Sequence, residues 1–324
     1  MRIGILGAGG LGRTAAQIIE MKEEMKLVAI CDRRGFAFSP EGLSAQEISG
    51  LKPKDTVAEI KGGRLCDDPI REIVSRGAEI DGIFVTLPNM PNDFIPGVIQ
   101  QFIQAKFKGV FVDCLKRTSA MELVFTLHEE IKKIGSTYLT GCGATPGLLT
   151  AAAVLAAQSF VRVEHIDIHW GVGISNWEQY KATIREDIAH LPGFTVEKAQ
   201  ALTDEEVKEL LDARDGKLEL RQMEHADDLM LERAGVVASR TQVEVGGIMD
   251  TRSAKKPVST TMTLTGITFD GQRSSHRFIL GDETTMAANV IGPALGYLKK
   301  AAWLNEKGIY GVYASCEFMP AMVA

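Results

Sequence analysis

The chain has 324 residues, with 36 basic and 42 acidic side chains and a formal net charge of −6. At roughly 100–200 residues per domain this length implies two domains, with enough core to need no disulfide or metal staple. The acidic balance excludes a generally basic nucleic-acid binder, and five scattered cysteines without a CxxC pair (Cys31, Cys66, Cys114, Cys142 and Cys316) argue against a secreted disulfide scaffold and for a reducing cytoplasm.

The chain opens on Met1-Arg2 and passes at once into Ile3–Leu6, without the charged start and long apolar stretch of a secretory signal. Its most apolar run, Ala151 to Ala157, falls far short of the roughly 20 residues that span a bilayer, so a soluble chain is expected. The runs Ile3–Leu6, Leu27–Cys31, Ile83–Leu87, Val110–Cys114 and Thr137–Thr140 are short, β-branched and bounded by turn residues, which predicts buried strands. Between them, Leu11–Lys26, Pro69–Arg76, Phe94–Lys106 and Ser119–Ile134 carry helical periodicity. Such alternation predicts a parallel sheet with helices on both faces. Asp32 to Cys66 is less regular and reads as a loop with a short helix.

The rhythm changes near Thr145-Pro146-Gly147. An alanine-rich helix, Leu148–Gln158, is followed by alternating runs at Val161–Trp170, Lys217–Met223, Val236–Ile248, Val258–Phe269 and Arg273–Leu280. They predict a mainly antiparallel sheet with one solvated face, and Asp270-Gly271 fits a hairpin turn between the last two. Thr203-Asp204-Glu205-Glu206 is a capping box opening an inserted helix that ends before Gly216. Thr284–Lys307 is helical again, with a break or kink expected at Pro293. The expected division is 1–146, 147–283 and 284–324, the last part returning to pack on the first.

Gly7-Ala8-Gly9-Gly10-Leu11-Gly12 matches G-x-G-x-x-G. The motif alone is weak, but here it follows a predicted strand, opens a predicted helix, and has Asp32 twenty residues beyond Gly12. Gly7 would make the tight turn, Gly9 would let backbone approach a pyrophosphate, and Gly12 would let helix pack on strand. The fold expected is thus α/β: a Rossmann-type doubly wound parallel sheet binding NAD(P), joined to an α+β domain. Gly10 and Leu11 open the helix whose amides and dipole favour phosphate. Asp32 suits a ribose diol and so NAD. Arg33 and Arg34 suit a 2′-phosphate and so NADP, and read equally well as a solvated basic turn. Thr86, Leu87 and Pro88 follow a sheet strand, where nicotinamide or ribose contacts are expected, a plain proline turn being the alternative.

Lys116 follows Val110–Cys114 and is placed to polarise a substrate oxygen, move a proton or bind a carboxylate. A surface lysine opening the next helix is the equal alternative. Trp177, Tyr180 and Arg185 form an aromatic and polar stretch in which Arg185 suits a carboxylate, with ordinary packing as the competing explanation. His165 and His169 lack a third ligand, so no metal is expected. Cys142, with no histidine near in sequence, reads as a small packing residue.

The fingerprint half followed by Gly141-Cys142-Gly143-Ala144-Thr145-Pro146-Gly147, then Gly292-Pro293-Ala294-Leu295 and Lys307-Gly308-Ile309-Tyr310-Gly311-Val312, resembles the saccharopine dehydrogenase-like family. Asp32 to Leu43 and Asp113-Cys114-Leu115-Lys116-Arg117-Thr118-Ser119-Ala120 are similar to homoserine dehydrogenases, although Leu115 stands where those carry asparagine. Both resemblances imply an NAD(P)-dependent oxidoreductase acting on an amino-acid-like small molecule. The first implies hydride transfer at an imine or carbonyl. The second implies an alcohol dehydrogenase, with Lys116 at the position of a functional lysine. A non-catalytic nucleotide-binding regulator of the same fold is the third reading. No nucleic acid or membrane partner is expected, and a homodimer is, by analogy with other open sheets that pair face to face.

Overall fold

The computed structural model describes residues 1–324 except 53, 90, 175, 176 and 282–285, and leaves the side chains of 177–179 and 286 undescribed. The first part runs β1 (Arg2–Leu6), α1 (Gly10–Glu20), β2 (Lys26–Cys31), β3 (Gly35–Phe38), α2 (Ala45–Gly50), β4 (Gly63–Leu65), α3 (Pro69–Ser75), β5 (Gly82–Val85), α4 (Phe94–Gln104), β6 (Val110–Asp113), α5 (Thr118–Thr126), α6 (His128–Ile134) and β7 (Thr137–Thr140). The second runs α7 (Leu148–Ala157), β8 (Phe160–Gly173), α8 (Trp177–Ile188), α9 (Val196–Ala201), α10 (Asp204–Asp212), β9 (Lys217–Leu220), α11 (Asp227–Arg233), β10 (Val243–Asp250), β11 (Thr260–Thr268) and β12 (Arg273–Leu280). The chain closes with α12 (Met286–Glu306) and β13 (Gly311–Ala314).

The first sheet has the order β13-β7-β6-β5-β1-β2-β3-β4. Its strands from β13 to β2 are parallel. Connection order reverses between β1 and β5, which opens a crevice at their carboxyl ends, where ligands bind in such sheets. One face is covered by a core that includes the edge-to-face rings of Phe102, Phe107 and Phe111. On the other face Ala15, Ile19, Ile291, Leu295 and Leu298 join α1 and α12 to Ile3, Ile5 and Phe84. No described helix is long and apolar enough to cross a membrane.

Several expectations need correction. Asp32 to Cys66 is more than a loop: β3 and β4 add two antiparallel strands to the sheet edge. Ser119–Ile134 divides at Leu127 into α5 and α6. Val236–Ile248 yields a strand only from Val243, after a 3-10 turn at Arg240–Gln242. The last helix is unbroken from Met286 to Glu306, with Pro293 inside it. The expected start of that helix at Thr284 lies outside the described residues. The second sheet, in the order β12-β11-β8-β10-β9, is mainly antiparallel, but β10 runs parallel to β8 because α8 to α11 carry the chain back over the sheet between them.

Candidate functional site

The glycine motif folds as its spacing requires. Gly7 has φ +105, and a Cβ there would lie 2.8 Å from the Thr86 carbonyl oxygen. A Cβ at Gly12 would lie 1.9 Å from the Gly7 oxygen, so the first turn of α1 packs directly on the end of β1. At Gly9 a Cβ would meet nothing within 4 Å. The space before α1 is open at the one motif glycine where a dinucleotide backbone would pass. Gly10 is buried as the first residue of α1, and its carbonyl accepts the Thr14 hydroxyl at 2.9 Å. The Thr86 hydroxyl sits 3.0 Å from the Leu6 carbonyl and 2.7 Å from that of Gly7, so this side chain braces the turn. Leu87 packs against the core and Pro88 is exposed on the loop.

Asp32 directly follows β2, half-buried, and its carboxylate is engaged by the chain itself. Its Oδ1 accepts from the amides of Arg34 and Gly35 at 2.8 and 3.0 Å and from the Thr56 hydroxyl at 2.9 Å, and its Oδ2 accepts from the Val57 amide at 2.8 Å. Arg33 and Arg34 are exposed beside it, and Arg34 donates to the Lys54 carbonyl.

Between the two sheets lies a cavity of about 150 Å³. Leu11 of the glycine turn forms part of its wall, and Trp170, Val172, Met223, Met249 and Leu280 make much of the rest apolar. Lys116 enters it from just beyond β6. Its Nζ donates to Asp187 Oδ1 at 2.7 Å and lies 3.6 Å from Glu186 Oε2. Burial alone disfavours this ammonium, but attraction to Asp187 and then Glu186 outweighs burial and holds the lysine protonated beyond the usual lysine range. Glu186 is pulled the other way, upward, chiefly by burial. Its Oε2 accepts from Asn89 Nδ2 at 3.2 Å, whereas its Oε1 is buried without a partner among the described residues.

Three faces of α8 explain which sequence candidates meet here. Thr183, Glu186 and Asp187, spaced i, i+3 and i+4, line the cavity. Tyr180, Ile184 and Ile188 pack into the core of the second sheet. Lys181 and Arg185 turn toward α10, each 2.6 Å from Asp204. The structure thus brings Lys116 and Leu11 to the cavity, and leaves Tyr180 in packing and Arg185 in an ion pair. The side chain of Trp177 lies outside the described residues.

Sequence reasoning missed a second cluster on the cavity wall. His225 lines the cavity and points Nδ1 at Asp227 Oδ2, 2.7 Å away. The same oxygen accepts from the Thr145 hydroxyl at 2.6 Å, and Thr150 donates to Oδ1. A carboxylate opposite Nδ1 keeps the hydrogen there and leaves Nε2 as the acceptor, the arrangement a proton-moving histidine needs. The signal open to sequence reading is His225-Ala226-Asp227 itself; the threonines that fix Asp227 arrive from the distant Thr145–Thr150 turn.

His190, next to the charged group, is held neutral. Burial pulls its imidazole down to about 4, Asp187 opposing and Lys116 and Arg117 reinforcing the shift. The folded pKa lies below the unfolded value, so the unfolded chain binds the extra proton first and stability falls as pH drops from about 6.5 toward that folded value. The loss is at most about 3 kcal/mol. Acid unfolding followed by circular dichroism is expected to show this limb flattened in His190→Gln. An unchanged limb would assign the acid sensitivity to other groups.

No family profile matches the chain. Over an alignment of 345 positions, gaps included, it is 42% identical to (S)-8-amino-7-oxononanoate synthase BioU of Haloferax mediterranei, with 98% of each protein covered. The chain belongs to the BioU family. Its fold is that of the amino-acid dehydrogenases. It superposes on an engineered D-amino acid dehydrogenase bound to NADP+ with a TM-score of 0.59, at 17% identity, over 98% of this chain and 93% of the other. On the saccharopine dehydrogenase of Saccharomyces cerevisiae the TM-score is 0.57, at 12% identity, over 97% and 94%. The saccharopine dehydrogenase resemblance therefore holds at the level of fold, while family membership lies with BioU.

Proposed function

We propose that this BioU-family chain is an NAD(P)-dependent oxidoreductase whose reacting centre is the ketone carbon of (S)-8-amino-7-oxononanoate, or an imine at that carbon. The observation that carries the reading is Lys116, held as an ammonium by Asp187 and Glu186 in a cavity to whose wall Leu11 of the glycine-rich turn also contributes. In this reading residues 1–146 bind the nucleotide, 147–283 supply most of the substrate wall, and 284–324 brace the first sheet. The open space at Gly9 and the amides opening α1 fit a pyrophosphate, and the bound cofactor would supply the hydride.

The chain's own groups have separable tasks. Lys116 donates a hydrogen bond or proton to the oxygen or nitrogen that gains negative charge. The neighbouring substrate ammonium finds an acceptor in Glu186 Oε1, which is buried and has no partner among the described residues. His225, set by Asp227, accepts or returns a proton at Nε2. Trp170, Val172 and Met249 hold the methylene chain and keep water out. Lys256 also lines the cavity, its ammonium 2.7 Å from the Gly281 carbonyl, and is assigned to the substrate carboxylate. Lys256→Met is expected to raise KM about ten-fold or more with little change in kcat, the signature of lost uniform binding; a kcat loss with unchanged KM would move Lys256 out of carboxylate recognition.

The test mixes the protein, at a concentration close to that of the substrate so that even a single turnover registers, with NADPH or NADH and (S)-8-amino-7-oxononanoate, and follows nicotinamide fluorescence. Substrate-dependent loss of the reduced cofactor is expected, and homoserine mixed with NAD+ or NADP+ is expected to produce no reduced cofactor. Gain of reduced cofactor from homoserine, without loss on (S)-8-amino-7-oxononanoate, would promote the alcohol dehydrogenase reading. The seven exposed residues of β12, Arg273 to Ile279, form the surface assigned to a homodimer, which mass measurement in solution checks.

A further inference from the structure

We propose that the dinucleotide taken up is the 2′-phosphorylated one, NADP(H), and that Arg33 reads the phosphate; this rests on the nucleotide-binding reading above. The sequence leaves the choice open, because Asp32 and Arg33-Arg34 argue in opposite directions. The structure separates them. An acid that selects NAD must offer free lone pairs to the two ribose hydroxyls. A carboxylate has about two lone-pair sites on each oxygen. The Arg34 and Gly35 amides and the Thr56 hydroxyl converge on Asp32 Oδ1 and the Val57 amide takes one site of Oδ2, which leaves room for one ribose hydroxyl where the diol needs two acceptors. The half-buried carboxylate ties the β2–β3 turn to the 3-10 turn at Val57–Glu59.

Arg33 is in the opposite state. It is exposed and makes no hydrogen bond or ion pair recorded among the described residues. With Arg34, Leu65, Cys66 and Asp67 it lines an open cleft beside the end of β2, where the adenosine ribose of a dinucleotide on the Gly7–Gly12 turn would lie. Arg34 is tethered to the Lys54 carbonyl, which fixes one guanidinium at the cleft and leaves the other to close on a ligand. Asp67 is the opposing charge on this wall; Arg33 and Arg34 outnumber it. A 2′-phosphate offers the fork of a guanidinium two acceptors at once, which a ribose hydroxyl does not.

Calorimetry with two fragments tests this without turnover. Adenosine 2′,5′-bisphosphate is expected to bind at least about ten-fold more tightly than 5′-AMP, the worth of one charge-assisted contact. Arg33→Ala, a change at an exposed side chain, is expected to remove most of that difference and leave 5′-AMP affinity within about two-fold. Equal affinity of the two fragments for the wild-type chain, or equal weakening of both by Arg33→Ala, would overturn the preference and leave the nucleotide reading standing. Binding of neither fragment would overturn the nucleotide reading as well.

Discussion

Lys116→Met is expected to bind NAD(P)H as the wild-type chain does and to lose at least about a hundred-fold in the rate of substrate-dependent cofactor oxidation. The cause is specific to the site. Lys116 ends the loop after β6, at the sheet edge that faces the cofactor crevice, and its Nζ is fixed by Asp187 at 2.7 Å. Removing it takes away the proton donor and leaves two buried carboxylates facing each other without a cation. Asp187 and Glu186 then repel, so the methionine variant tests charge and chemistry together. Lys116→Arg separates them: a guanidinium restores the ion pair but is the weaker acid and presents its protons from a planar fork in a different place. The ammonium, by contrast, is positioned to give its proton to an oxygen or nitrogen that becomes strongly basic as the carbon it is bonded to takes up the hydride. Wild-type thermal stability in Lys116→Arg with a rate still depressed about a hundred-fold would assign proton donation to the lysine. A wild-type rate in both variants would make Lys116 a structural cation and shift the proton chemistry to His225 and Asp227.

Gly9→Val is expected to abolish NAD(P)H binding while leaving the fold intact. Valine at Gly7 or Gly12 would collide with backbone, at 2.8 Å from the Thr86 oxygen or 1.9 Å from the Gly7 oxygen, so loss of binding there would say little. Gly9 is different, because a Cβ at that position meets no atom of the chain within 4 Å, and its backbone, φ −77 and ψ −164, suits any residue. A side chain starting into that open space obstructs a ligand lying on the turn. Calorimetry for binding and circular dichroism for fold check both halves. Unchanged nucleotide affinity would remove the dinucleotide from the site.

The parts legible in the sequence are those set by local chemistry. A strand, a glycine turn and an amphipathic helix are contiguous, so β1, α1 and the roles of Gly7, Gly9 and Gly12 can be read from adjacent residues. Lys116 is legible for a related reason: a residue just past a parallel strand stands at the crevice whatever else the chain does. Partners from distant segments are not legible. Asp32 reads as a ribose ligand until Thr56 and Val57 fold onto it. Arg185 draws attention as a cation, yet consecutive helical residues point about 100° apart, and the cavity receives Glu186 and Asp187 instead. The His225–Asp227 pair needs Thr145 and Thr150, roughly a quarter of the chain away. Gly35 and Gly63 disguise β3 and β4, since glycine in a short run argues against a strand until a neighbouring backbone pairs with it.

Isotope transfer tests the central claim most directly. Reduced cofactor carrying deuterium at nicotinamide C4, incubated with the protein and (S)-8-amino-7-oxononanoate, is expected to deliver the label to C7 of the product, as read by mass spectrometry, and to deliver none with Gly9→Val. Conversion of the substrate with no deuterium at C7 from either face of the nicotinamide would contradict hydride chemistry at that carbon, and with it the assignment of this cavity.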